Sequence, residues 1–579
     1  MEKTYNLVEL FSGIGSQAKA LKNIASQSKD LMNLDISVNI QGTCEWDVHA
    51  IAAYDVIHNS PEISDEIDKM SKEQLLKILS NYTFSNSGKA ALEFSSLRTY
   101  SEKSLKRIYN SIVRNKNYVD VTRLEGANLP DNVDIMTYSF PCQDLSNVGA
   151  FHGYTKGIDK DSGSRSSLLW QVGRILTEMK SAGKSLPRFL LLENVPTLLS
   201  KRHLGNFQTW ISDLEDLGYI SHYYQLNSTS FGLPQNRPRL LMISVYVGED
   251  AGKWHLVHKY FEEHHSPNDV ISDYRESGLF KQYTVQDLLR INYDNPKIKA
   301  EAESCTPNNT PSRVRIWEEN PKIIREDGTF DPNIDAIRTI TTKQDRNPNS
   351  GNIFFPNDME GRSQFRYLTP RECLLFMGFT DEDFRCLKKN NIEFHKYDAL
   401  FARDKIIRMA GNSIPVKMLE GVFYQIIQID QKLDNYLSGK EHAASAATTT
   451  DYSGFIKSHI HSLLGIRSRL NAQGIYPEDA TVIYPKFKTA IYVINCFTED
   501  RSTENTPCTL CAHAYWDKRC EKRLIDEEKR YQNALKMGWN VIVVRPCEFN
   551  DASREGTFQW IAECVKSGLS NTGVIYKRG

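Results

Sequence analysis

The first feature of this chain able to carry chemistry is a cysteine set behind a proline. Ser139-Phe140-Pro141-Cys142-Gln143 follows the apolar run Asp134 to Tyr138. A thiolate is a strong nucleophile near neutral pH, and α/β enzymes bind their ligands at the carboxyl ends of parallel strands. Gly149, Gly153, Gly157 and Gly163 then punctuate a polar stretch, the composition of a loop that closes over a site. A second group, Glu193-Asn194, ends the apolar run that begins at Phe189. A third, Pro234-Gln235-Asn236-Arg237-Pro238-Arg239, puts two arginines on one face as another strand begins. Taken singly, each has a commoner reading: a buried structural cysteine, a solvated strand-end glutamate, a surface arginine pair. Taken together, a nucleophile, an acid and arginines fall at one edge of one sheet.

Upstream, a strand runs into Phe11-Ser12-Gly13-Ile14-Gly15. Glycines at a strand-to-helix turn let the backbone approach a ligand, and the helix start favours anionic or polar groups. The third glycine of the dinucleotide fingerprint is missing, because Ala18 stands there. Glu45 closes the second apolar run and suits ribose hydroxyls, Trp46 offers a flat face for adenine, and Asp120 suits an adenine amino group. The set points to an adenosine-containing cofactor without saying which.

Strands and helices alternate in the segments that must position these groups. Tyr5 to Phe11, Val38 to Glu45, Val133 to Tyr138, Phe189 to Glu193 and Leu240 to Tyr246 read as strands, Gln17 to Ile24 and Asp47 to His58 as helices. This is the pattern of a mostly parallel sheet covered by helices. From about Gly248 to Gln364, Asn, Pro, Asp and Ser become frequent and no long helical period survives, which predicts a loop-rich inserted domain. Residues 365–437 return to the α/β body, 438–453 have a small, polar linker composition, and 454–579 form a further module. A length of 579 residues suggests roughly two to four domains. The net charge of -1 lacks the strong basicity that would itself announce a nucleic-acid binder, although a basic groove can be balanced by acidic surface elsewhere. No secretory leader or membrane-length apolar run is read, so a cytoplasmic protein is expected. Of the 11 cysteines, Cys496, Cys508, Cys511, Cys520, Cys547 and Cys564 crowd the last part of the chain, an arrangement suited to a reducing compartment and to metal binding.

The order FSGIG, Glu45-Trp46, Pro141-Cys142-Gln143, Glu193-Asn194-Val195, Gln235 to Arg239 (QNRPR), Arg366 to Phe379 (RYLTPRECLLFMGF) and Gly411-Asn412-Ser413 resembles the cytosine-5 DNA methyltransferase family over about residues 5–430. The resemblance implies a doubly wound, mostly parallel α/β sheet of the class I S-adenosylmethionine methyltransferase kind. It places the catalytic core in 1–247 and 365–437, with a target-recognition domain at 248–364. It implies that Cys142 attacks C6 of a cytosine flipped from duplex DNA, that Glu193 acts at N3, that Arg239 holds O2, and that Arg237 supports the nucleophile's surroundings. S-adenosylmethionine would be met by Phe11, Gly13, Gly15, Glu45, Trp46, Asp120, Val121, Pro141, Leu169, Asn412 and Ser413. DNA would be met by Gln143, Ser146 and Arg165 around a closing loop that also carries Lys156 and Lys160, and by Arg346 and Asn347 in a stretch rich in base-reading side chains. The protein is expected to act as a monomer on double-stranded DNA, with no membrane partner, in a bacterial or phage setting. The target sequence itself is not readable.

Pro485 to Phe497 and Leu535 to Phe549 resemble the very-short-patch repair endonucleases, a small α/β nuclease fold. The family's metal-binding aspartate is replaced by Thr481, its usual acidic residue or histidine before the cysteine by Ile494, and Asp479 is out of register. Without carboxylates to hold a metal, an inactive accessory module is expected, with residual mismatch cleavage as the alternative. Cys496, Cys508, Cys511 and Cys547 are the candidate structural zinc ligands, against the alternative of free buried cysteines. Two other classes share the glycine turn or the fold: a nicotinamide or flavin oxidoreductase, which gives Cys142 no role, and a non-catalytic DNA-binding protein, against which the intact Pro-Cys pair and Glu193 argue.

Overall fold

The computed structural model describes residues 2–59, 62–141, 165–342, 344, 351–439, 480, 482–484, 488–493, 529–544, 554–566 and 574–576. The chain divides into two compact units, Met1–Ser438 and Gly439–Gly579.

The first unit is built on seven strands that matter for the site: β1 (Glu2–Leu10), β2 (Asp35–Cys44), β3 (Ile135–Tyr138), β4 (Phe189–Asn194), β5 (Tyr219–Asn227), the short β6 (Gln235–Asn236) and β7 (Pro238–Tyr246). Six of them form one sheet in the order β2-β1-β3-β4-β7-β5. β2, β1, β3 and β4 run parallel, and β7 runs antiparallel to both β4 and β5. Successive residues of β4 enter opposite cores: Phe189 and Leu191 join one apolar cluster, Leu190 and Leu192 the other. Burial on both faces is why the central strands read as unbroken apolar runs. β5 is an edge strand in which polar Ser221 and Gln225 interrupt the apolar positions, and it escapes a search for such runs.

Helix α1 (Ser16–Met32) follows β1, α2 (Val48–His58) follows β2, and the long helix Val416–Leu437 packs beside α1. Asn23 on α1 donates to the buried Glu420 carboxylate at 2.8 Å, and Tyr274 donates to its other oxygen at 2.6 Å. At the opposite end of the sheet from the glycine turn, Lys3 and Arg188 clasp Asp430 and Asp434 of the same long helix. The chain that resumes the body after residue 364 is thereby tied to the first strand.

The stretch after Gly248 differs from its loop-rich expectation. It holds helices Ala251–Glu263, Pro267–Glu276, Val285–Leu288, Pro296–Ser304 and Pro311–Glu319. Their starts explain the misleading composition. Asp250, Ser266, Thr284 and Asn295 are side-chain caps, and Pro267, Pro296 and Pro311 occupy first-turn positions where no amide hydrogen is needed. Val257, Tyr260, Val270 and Tyr274 from the first two helices enter the same apolar cluster as the long helix. Farther on, Arg366 and Glu372 form a fully buried bidentate pair at 2.8 Å. The Glu372 carboxylate also accepts the Thr369 and Arg290 amides, so the charge is met on every side.

In the second unit, strands Val482–Tyr484, Thr489–Val493, Asn540–Val544 and Val574–Tyr576 form a four-stranded sheet in that order. The first pair is antiparallel and the other two pairs are parallel. Helix Arg554–Lys566 lays Phe558, Ile561, Ala562 and Val565, one helical stripe, against Val482, Ile491 and Ile542. Thr481, Ile494, Asp479 and the candidate zinc ligands Cys496, Cys508, Cys511 and Cys547 lie outside the described residues. Among the described residues no group of three or more His, Cys, Asp or Glu is placed to hold a metal. No described helix is long and apolar enough to cross a membrane.

Candidate active site

From β1 the chain passes to β2 on one side and later to β3 on the other, so the strand order reverses beside β1. Ligands of open α/β sheets bind at the carboxyl edge of such a point. A pocket of about 430 Å³ opens there.

One end of it is made by the glycine turn. Phe11, Gly13 and Gly15 all have positive φ, and the Phe11 and Ser12 amides donate to the Cys44 carbonyl at 2.8 and 3.2 Å. The Glu45 carboxylate holds this turn: Oε2 accepts the Gly13 amide at 2.9 Å, and Oε1 accepts the Trp46 and Asp47 amides at 2.9 and 2.8 Å. Burial, with help from the nearby Asp47 charge, pushes the Glu45 pKa up to about 7, and the three amides oppose that rise. Asn117 fixes the same turn from the next segment, accepting the Glu45 and Val119 amides through its side-chain oxygen. Asp120 follows; its Oδ1 accepts the amide and hydroxyl of Thr122 at 2.9 and 2.7 Å.

Beneath the turn lies a buried acid. Glu9 accepts the Ala18 amide at 3.1 Å and the hydroxyl of Tyr54, and burial raises its pKa to about 7. His58 packs against Tyr54 and hydrogen-bonds the Ile14 carbonyl at 2.9 Å; burial lowers its pKa to about 3, so the neutral ring is the donor. A β-carbon on Gly15 would stand 2.3 Å from His58 Nε2, which is why this position is glycine.

The other end carries charge. Arg239 Nε meets Glu193 Oε1 at 2.8 Å, with only 11% and 13% of the two side chains exposed. Burial holds the Glu193 carboxyl above its ordinary pKa, and the Arg239 and Arg237 guanidiniums pull it back. Asn194 donates to the Phe140 carbonyl at 3.1 Å and so anchors the chain immediately before Pro141. Arg237 is a strut. Its guanidinium donates to the carbonyls of Ile340 at 2.9 Å, Gly411 at 2.8 Å and Ser413 at 2.7 Å. Next to it, Gln235 and Asn236 pair with Ile337 and Arg338, and Gln235 accepts the Ile340 amide at 3.0 Å. A β-carbon on Gly411 would lie 2.7 Å from the Thr341 carbonyl carbon, so the two segments touch backbone to backbone.

The pocket therefore gathers Phe11, Gly13, Glu45, Trp46, Asp120, Val121, Pro141, Glu193, Arg237, Arg239, Asn412 and Ser413. Gly15 and Leu169 stand behind the wall rather than on it; Leu169 is fully buried in a core. Cys142, Gln143, Ser146, Arg346 and Asn347 lie outside the described residues, as do Lys156 and Lys160, and only the backbone of Arg165, starting the short turn Arg165–Leu168, is described. Sequence reading missed Asp47, Gly88 and Met409 on the wall. Asp47 did carry a signal, as a cap residue just before an apolar helix; Gly88 carried none.

The fold and pocket define an α/β enzyme with an acid–arginine pair beside its ligand site. A family model described as C-5 cytosine-specific DNA methylase matches residues 95–428, more than half of the chain. The chain belongs to that family, and it is a DNA cytosine-5 methyltransferase. It is 29% identical over 436 residues to the orphan methyltransferase M.SssI of Spiroplasma monobiae, covering 73% of this chain and 97% of that relative. It is 28% identical over 428 residues to the Type II methyltransferase M2.ScrFI of Lactococcus lactis subsp. cremoris, covering 72% and 98%. Among solved structures, the S. pombe Dnmt2 methyltransferase is a distant likeness at TM-score 0.41 and 16% identity, covering 74% of this chain and 99% of that one.

Proposed function

We propose that the chain methylates C5 of a cytosine flipped out of duplex DNA, using Cys142 as a transient covalent nucleophile. The carrying observation is that one pocket joins the glycine-turn end to the Glu193–Arg239 pair, with Pro141, the residue before Cys142 in the chain, on its wall.

The turn end suits S-adenosylmethionine. Gly13 has no atom within 4 Å of where a β-carbon would stand, which leaves room for a ligand against the backbone. Trp46 offers a face for the adenine, Glu45 and Asp120 have unused lone pairs for ribose hydroxyls and the adenine amino group, and Asn412 and Ser413 close the side. When bound, this group supplies an electrophilic methyl on a sulfonium. The chain's own residues do the rest. Cys142 sulfur bonds to C6 and the ring's electrons move toward C5 and N3. Glu193, kept protonatable by burial, donates at N3, and Arg239 holds O2. Once C5 carries the methyl group, loss of its proton to a base restores the double bond and expels the thiolate. Asn194, through the Phe140 carbonyl, fixes the stretch leading to the nucleophile. Arg237 serves as the strut of the site.

Segment 248–364 is read as the target-recognition region, because its Ile337–Arg338 strand is stitched to the QNRPR stretch. With orphan and Type II enzymes among its relatives, the protein is assigned to the same kind of DNA-modification system, acting in a bacterial cytoplasm as a monomer on duplex DNA. The second unit is read as an accessory module of the very-short-patch repair endonuclease type, with Cys496, Cys508, Cys511 and Cys547 as a structural zinc set. Elemental analysis of the purified chain should find about one zinc per molecule; none would remove the zinc reading.

The decisive experiment is a trap. A duplex carrying 5-fluorocytosine in the target, located by bisulfite sequencing of DNA from expressing cells, should give a stable adduct at position 142 with wild type and none with Cys142→Ser. An adduct-free wild type on a site it methylates would overturn the covalent mechanism.

A further inference from the structure

Three parts of the pocket wall that are distant in sequence meet at one guanidinium. Arg408 lies one turn before Asn412 on helix Arg403–Asn412. Its Nη2 donates to Asp47 Oδ2 at 2.7 Å and its Nη1 to the Asn86 carbonyl at 2.7 Å. Only 16% of the Arg408 side chain and 7% of the Asp47 side chain are exposed, so solvent screens the pair weakly.

Each partner is itself built into the wall. Asp47 caps α2, its Oδ1 accepting the His49 amide at 3.0 Å, and its own amide donates to Glu45, the carboxylate that holds the glycine turn. The Asn86 segment is joined to the same turn: the Val48 amide donates to the Ser85 carbonyl at 2.9 Å, and the Ser85 amide to the Trp46 carbonyl at 2.8 Å. Ser85 Oγ accepts the Gly88 amide at 2.9 Å, and Gly88 faces the pocket. On the third side, Met409, Asn412 and Ser413 line it from the helix that carries Arg408. Arg408 does not itself line the pocket.

We propose that Arg408 is a positioning residue for the methyl-donor end of the site. By fastening Asp47 and the Asn86 carbonyl to the helix that presents Asn412 and Ser413, it sets the spacing of the walls between which the adenosyl group binds. The inference rests on the reading of that end as the S-adenosylmethionine site. Removing the guanidinium leaves the buried Asp47 carboxylate with one fewer donor and frees the Asn86 segment, so ligand binding must then supply the ordering that the ion pair had supplied.

The test is calorimetric titration of the full-length protein with S-adenosylhomocysteine, beside melting temperatures and steady-state kinetics. Arg408→Met is expected to weaken binding about tenfold or more, to raise KM for the methyl donor in parallel, and to leave kcat at saturating donor within about threefold. Arg408→Lys should fall between Arg408→Met and wild type. A purely structural role would lower the melting temperature and leave the dissociation constant in place, which overturns the proposal. If Arg408→Met does not fold, Arg408→Lys decides: affinity about threefold or more below wild type supports the role, and wild-type affinity overturns it. Failure of the wild-type protein to bind S-adenosylhomocysteine at all would instead remove the reading of the site on which the inference stands.

Discussion

At the glycine-turn end of the pocket, Glu45 engages the backbone: three amides, from Gly13, Trp46 and Asp47, point at its two oxygens. At the opposite end, Glu193 engages another side chain, the guanidinium of Arg239. The first carboxylate is a fixture, because its partners are main-chain groups that cannot leave without unmaking the turn. The second can trade its partner, since Arg239 reaches it through rotatable bonds and also contacts the Pro238 carbonyl. On the proposed reading, the end that receives the methyl donor, which is spent and replaced at each turnover, is framed by backbone, and the end that admits and releases the base is framed by exchangeable side chains.

Two substitutions break or sharpen that contrast, and the larger effect belongs to the exchangeable end. Glu193→Gln keeps shape and hydrogen-bonding capacity but has no proton to give. It should lower kcat by roughly 10² to 10⁴ and leave S-adenosylhomocysteine affinity within about threefold. A parallel loss of cofactor affinity would show that the two ends are not separable. The smaller effect belongs to Glu9, the buried acid beneath the glycine turn, and is read through pH. The Glu9 pKa stands near 7 in the folded protein against an ordinary 4.5. A carboxyl raised in this way favours the fold fully below its unfolded pKa, and that contribution is lost as pH rises through the folded value. The melting-temperature advantage of wild type over Glu9→Gln should therefore shrink between about pH 5 and pH 8. A constant difference across that range would mean that Glu9 is ionised throughout.

The same contrast explains what could be read in the sequence. The glycine turn, Glu45-Trp46 and the apolar strands β1, β3, β4 and β7 are local patterns, and local patterns survive in one dimension. β5 was not legible because an edge strand with Ser221 and Gln225 among its apolar positions shows no continuous run. The helices between residues 251 and 319 were hidden by their own caps, since the Asp, Ser, Asn and Pro that start them are also the residues of turns. The partners of Arg237 were beyond reach for a different reason. Its acceptors, the carbonyls of Ile340, Gly411 and Ser413, are 103 to 176 residues away and carry no side-chain signature. The Asp47–Arg408 pair spans 361 residues and was missed in the same way.

The seam where Gly411 meets Thr341, and where Gln235 and Arg237 take hold of Ile340, limits how such an enzyme could change its target. The region read as choosing the DNA sequence is not a cassette that can be unplugged, because its stretch around Ile340 and Thr341 also braces the pocket end read as the methyl donor's. A graft from a relative would have to bring a main-chain path that leaves room for a glycine at 411 and offers a carbonyl to position 237. Drift in sequence preference is therefore freest in parts of the insert remote from that joint, and a successful transplant will be one whose boundaries are cut outside it.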